Sequence, residues 1–106
     1  MIVGAAVIEI QVHGSQSLKQ KRGVVRSILG RVRNRFNLSA AEVGGQDTWQ
    51  HALLGFSASG SNAVNVRKVL DRAVVFVEEL HLAEVLSSDV QLTEMPYAAG
   101  PWDPED

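Results

Sequence analysis

At 106 residues the chain has room for one domain, and its 45% apolar and 21% charged residues are ordinary for a globular fold. It contains no cysteine, which excludes disulfides, thiolate metal sites and a thiol nucleophile and fits a reducing compartment. The formal net charge is −2, yet the segment from Ser17 to Phe36 holds seven of the ten basic residues and none of the twelve acidic ones, an asymmetry that points to an anionic partner.

From Ile2 to Val12 the side chains alternate. Ile2, Ala6, Ile8, Ile10 and Val12 share one side; Val3, Ala5, Val7, Glu9 and Gln11 share the other. That period of two predicts a strand with one fully apolar face. The run has no basic leader and Glu9 interrupts it, so neither a signal peptide nor a membrane span is expected, and the protein is expected to be cytoplasmic. "HGS" at 13–15 turns the chain. Ser17 with Gln20 forms a capping box that opens a helix to about Asn37. Its Leu18, Val25, Ile28, Leu29, Val32 and Phe36 fall in an arc of about 100°, a core-facing stripe.

Residues 38–45 predict a short strand, "GGQDT" a turn, and 49–59 a longer strand with Ala52, Leu54, Phe56 and Ala58 on one side. Both faces of that strand carry bulky apolar residues, so the sequence leaves open which one meets the core. "SGSN" leads into a second helix ending near Leu80, with Val66, Val69, Leu70, Ala73, Phe76, Val77 and Leu80 facing inward. A last strand runs from about Val85 to Met95. Residues 96–106, with three prolines and three acids, predict a disordered tail, which leaves a single domain over 1–95. The order strand, helix, strand, strand, helix, strand is the split βαβ pattern of an α+β, ferredoxin-like domain: a four-stranded antiparallel sheet with two helices on one face.

Such a sheet leaves its other face open. Val3, Ala5 and Val7 of the first strand, with Trp49, His51 and Leu53 of the third, are the candidate interface there, and pairing with a second copy is the simplest reading. The first helix offers a different surface. With Val25 at the origin, Lys19, Arg22, Arg26 and Arg33 lie between about +60° and +120°, a stripe beside the core face that can follow a phosphate backbone. Lys21 lies near the buried arc, and Arg31 and Arg35 lie on the opposite flank. Gly23 and Gly30 flank the stripe and let another backbone approach closely. The candidate nucleic-acid set is therefore Lys19, Lys21, Arg22, Gly23, Arg26, Gly30 and Arg33. A merely solvated basic face, an acidic protein partner and a self-contact with the acidic residues 78–106 are the alternatives. Single-strand binders interleave aromatics with cations, and along this helix only Phe36 is near, on the buried side. No RNP-like aromatic pair and no GXXG loop occurs, so bound RNA is expected to be read by shape and phosphate.

Catalytic signals are weak. His13, His51 and His81 are scattered and show no metal-ligand spacing, so neither a metal nor a cofactor is expected. Gln46, Asp47, Trp49, Gln50 and His51 form the densest polar cluster. Asp47 and His51 can in principle form an acid–base pair, but a turn cap and an outward-pointing ring explain them more simply. No P-loop, GxGxxG or GxSxG is present, and an enzyme is not expected.

"SLKQKR" (17–22), "RVRNRFNLSAAEV" (31–43) and "QDTWQHALLG" (46–55), in that order and spacing, resemble the YlxP-type bacterial family, domain of unknown function 503. The resemblance covers nearly all of residues 2–95. It implies a ferredoxin-like fold and a bacterial cytoplasmic protein whose genes often lie beside those for translation initiation and ribosome maturation. The family pattern is matched at Lys19, Lys21 and Arg22 and at Gln46, Asp47 and Trp49, and implies no catalytic role for them. The chain departs from it at Gly44, Gly45 and His51. The resulting expectation is an accessory protein that binds RNA backbone or the ribosome through its first helix. The rival is a homodimeric interaction or small-ligand-sensing module using the open sheet face.

Overall fold

The computed structural model describes residues 1–96. Its elements are β1 (Ile2–Gln11), α1 (Leu18–Arg35), β2 (Ser39–Gly44), β3 (His51–Gly60), α2 (Ala63–Leu80) and β4 (Glu84–Glu94). The strands form one sheet in the order β2-β3-β1-β4, and every neighbouring pair is antiparallel. With both helices packed on one face, this is the ferredoxin-like βαββαβ fold.

β1 is the keystone of the sheet because it is paired along its whole length on both edges, from Ile2 opposite Gly60 and Glu94 to Gln11 opposite His51 and Glu84. Its alternation therefore sets the facing of its neighbours. Ala6 lies opposite Phe56 and Ile8 opposite Leu54, so Ala52, Leu54 and Phe56 face the helices. This settles the face of β3 that the sequence left open. Those residues pack with Ile28 and Val32 of α1 and with Leu70, Ala73 and Val77 of α2 in one core. Val74, which lies outside the stripe predicted for α2, is buried as well.

Local chemistry marks the helix ends. The Ser17 hydroxyl accepts the N–H of Gln20 at 3.1 Å, but the Gln20 side chain reaches back to the N–H of Gln16, at 2.8 Å, one residue before the cap. At α2 the Asn62 side chain accepts from the N–H of Asn65, and the helix stops at His81, whose left-handed φ of 54° ends the spiral. α1 stops at Arg35 with an extended Phe36, two residues before the expected end. Phe36 packs edge-on against Phe76 at 5.5 Å between ring centres and ties α1 to α2.

A Cβ built on Gly23 or Gly30 meets nothing within 4 Å, so the fold does not require glycine at either place. Among the described residues no helix is long and apolar enough to cross a membrane. The tail expected beyond residue 95 lies, from residue 97 onward, outside the described residues.

Candidate nucleic-acid interface at the start of the first helix

Lys21 is not at the surface. Its side chain is 0% exposed, and its ammonium sits between α1 and the turn that joins β2 to β3. Nζ donates to the Glu42 carboxylate (3.2 Å) and to the backbone carbonyls of Gly45 (2.7 Å), His51 (3.3 Å) and Gln46 (3.4 Å). A buried ammonium is costly unless it is paired and hydrogen-bonded, and here one carboxylate and three carbonyls surround its three N–H groups. Lys21 is therefore removed from the phosphate-binding set. The helical arc had placed it toward the core; what the sequence reading missed was its partner. Glu42 is the one acidic residue between Glu9 and Asp47, and it stands two positions after buried Ala40 on the helix-facing side of β2. That lone inward acid was the available signal.

The rest of the basic segment divides by geometry. Arg33 is committed to β2, where its guanidinium donates to the Ala40 carbonyl. Arg35 lies 5.5 Å from the centre of the Phe76 ring, and Arg31 donates to the Ser27 hydroxyl at 3.2 Å. Lys19, Arg22 and Arg26 are exposed, and among the described residues none forms an ion pair. Gly23 is exposed beside them and Gly30 half-buried.

The structure also moves Trp49. β3 begins at His51, so Trp49 belongs to the turn and not to the sheet face assigned to it from sequence. Turn residues 45–50 rest on the segment leading into α1: the Gln50 carbonyl accepts the N–H of Val12 at 2.7 Å, and the Gln50 amide donates to the Ser15 carbonyl at 3.3 Å. Within the turn the N–H of Thr48 donates to the Gly45 carbonyl at 3.0 Å, while Gly45 takes a positive φ of 75° that suits glycine. Gln46 and Asp47 are exposed. The turn is closed by backbone rather than by an Asp47 cap, and among the described residues Asp47 and His51 share no hydrogen bond.

Val3, Ala5, Val7, His51 and Leu53 do occupy the open side of the sheet, opposite the helices. Two histidines that the sequence spreads apart line one cleft at the same end of the molecule as the turn. His13 and His81 line a cleft with Glu78 and Glu84, and His13 Nε2 lies 2.8 Å from Glu84 Oε1. No group of three or more histidines or carboxylates among the described residues is placed to hold a metal.

Comparison with known proteins places this arrangement. A family model described as "Protein of unknown function (DUF503)" matches residues 3–90. The chain belongs to the DUF503 family. The uncharacterized protein YlxP of Bacillus subtilis (strain 168) is 42% identical over 77 residues, 73% of this chain and 84% of that protein. Among solved structures, the de novo designed protein Foldit4 aligns with a TM-score of 0.50 and 13% identity over 90% of this chain and 98% of its own. SnoaB, a cofactor-independent oxygenase from Streptomyces nogalater, aligns with a TM-score of 0.47 and 11% identity over 91% and 95%. At such identities the designed protein shows the fold alone. "SLKQKR" and "QDTW", two of the segments that carried the family resemblance, are joined here by the Lys21 ammonium.

Removing one member of a buried ion pair leaves the other uncompensated. Lys21→Met keeps most of the volume but takes the ammonium from Glu42 and from three carbonyls, and should cost roughly 3 kcal/mol of stability in urea unfolding. A loss below about 1 kcal/mol would show that the cage contributes little.

Proposed function

We propose that this protein binds the phosphate backbone of RNA, free or within the ribosome, through the exposed flank of α1 and without a catalytic step. The observation that carries this reading is the division of the basic segment. Lys21 is buried, and Arg31, Arg33 and Arg35, though exposed, each have a contact within the fold; Lys19, Arg22 and Arg26 are exposed on one flank with no side-chain hydrogen bond or ion pair among the described residues. None of the four strands contains a lysine or arginine, so cationic recognition falls to the helices. Gly23 and Gly30 leave open space beside the stripe, and each costs a helix interior about 1 kcal/mol relative to alanine. Close approach of a phosphate strand gives that cost a purpose. The gene neighbourhood that the family resemblance implies is consistent with a translation context.

Three phosphate contacts, rather than the four that the stripe suggested from sequence, give a log–log salt dependence of about −2 to −3. Co-sedimentation with ribosomal subunits and total bacterial RNA, titrated with salt, should show that slope. Arg22→Glu/Arg26→Glu should abolish binding while the protein stays folded. An absence of binding at low salt would reduce the stripe to a solvated face.

The open sheet face supports a second, compatible reading: association with a second copy. Val3, Ala5, Val7, Val43, Leu53 and Gly55 lie on it, with Val7 45% and Val43 54% exposed. Gly55 keeps the centre flat, because a Cβ there would come within 2.8 Å of Val43. Ten-residue strands span about 33 Å and four strands about 19 Å, a footprint of roughly 600 Å² per copy, at the lower edge of what a stable interface buries. Sedimentation equilibrium should report a dimer that Val7→Lys converts to a folded monomer. A wild-type monomer at high concentration would remove this reading.

A further inference from the structure

RNA bound along α1 as proposed above would find, at the N-terminal end of its path, the one aromatic that the basic helix itself lacks. We infer that the partner is single-stranded RNA, with its backbone on Lys19, Arg22 and Arg26 and one base stacked on the indole of Trp49. This rests on the RNA reading and adds to it the strand state and the contact that selects it.

Three observations carry the inference. Trp49 is 55% exposed, the largest side chain left open to solvent among the described residues. It is also held in place. The carbonyls of Gly45 and Gln46 before it and of His51 after it are bound by Lys21, and Gln50 is bonded to Val12 and Ser15. An aromatic on a turn fixed from both sides meets a base without the ordering cost that a loose loop would add. Finally, the anchor is a residue of α1 itself. Lys21 belongs to the same end of α1 as Lys19 and Arg22, so the ammonium holds the turn at the helix end from which those two cations project.

The chemistry of the two parts is complementary. Stacking on an aromatic accepts any base, because each presents a π-face, whereas the cations read only phosphate. Asp47, exposed on the same turn, disfavours a phosphate there, so the turn takes the base and the helix takes the backbone. A duplex keeps its bases stacked within the helix and can offer Trp49 none, so the pairing of a platform with a cationic flank selects a single strand.

The test uses Trp49 as its own reporter. The chain has two tryptophans, Trp49 and Trp102, so a Trp102→Phe background leaves the turn as the only indole signal. Titration with an unstructured uridine oligonucleotide should quench that fluorescence, and a duplex RNA of equal length should bind more weakly without quenching. In the full-length protein, Trp49→Ala should weaken single-strand binding by about 5- to 150-fold while leaving the salt slope unchanged. Arg22→Ala should instead lower the slope by about 0.7 and preserve the quench. Binding with the expected slope that Trp49→Ala does not change would overturn the stacking inference and leave the phosphate reading standing. No binding of either RNA at low salt would overturn both.

Discussion

A fully buried ammonium is the contact that ties the start of α1 to the β2–β3 turn. Placing Lys21 between α1 and the β2–β3 turn takes a charge out of water, a penalty of several kcal/mol that only a carboxylate and well-placed acceptors can offset. Glu42 supplies the carboxylate, and the backbone at Gly45, Gln46 and His51 supplies the acceptors. The requirement works in both directions. Three carbonyls converging at a turn repel one another without a cation between them, and the cation would not tolerate burial without such acceptors. The start of α1 and the turn are thereby fixed to each other, although they belong to distant parts of the chain.

The same logic explains why one helix holds most of the positive charge. One cation fastens the turn, and Arg33 occupies the Ala40 carbonyl on β2, an outer strand of the sheet, where a charged side chain discourages pairing with another chain. Arg35 covers Phe76 at the α1–α2 seam, where guanidinium and aromatic face attract each other. Lys19, Arg22 and Arg26, exposed and without a side-chain hydrogen bond or ion pair among the described residues, form a shorter row than the sequence suggested, and Lys21 holds the turn that carries the exposed Trp49 at the same end of the helix. The sheet, free of lysine and arginine, is left as a chemically separate surface.

Much of this was legible in the sequence, and the failures have physical causes. The alternation of β1 and the 3.6-residue stripes of α1 and α2 fix element type because they are local consequences of burial on one face. The facing of β3 was not local: it follows from pairing Ala6 with Phe56, which needs the register. Lys21 lay near the buried arc, yet a lysine is rarely buried without a partner, and that partner is 21 residues away on β2. Trp49 was assigned to the sheet face because the strand was begun two residues too early; the true start at His51 puts it in the turn. His13 and His81 come to line one cleft through tertiary packing alone, which no spacing rule encodes.

Held by the Lys21 ammonium, the turn should behave as a rigid part of the helix surface. Backbone amide order parameters for residues 45–50, measured in the wild-type protein and in Lys21→Met, test it most directly. In the wild type these values should lie near those of the strands, about 0.85, and in the variant they should fall below about 0.6 in this turn alone. A turn that is already loose in the wild type, or equally ordered without the ammonium, would contradict it.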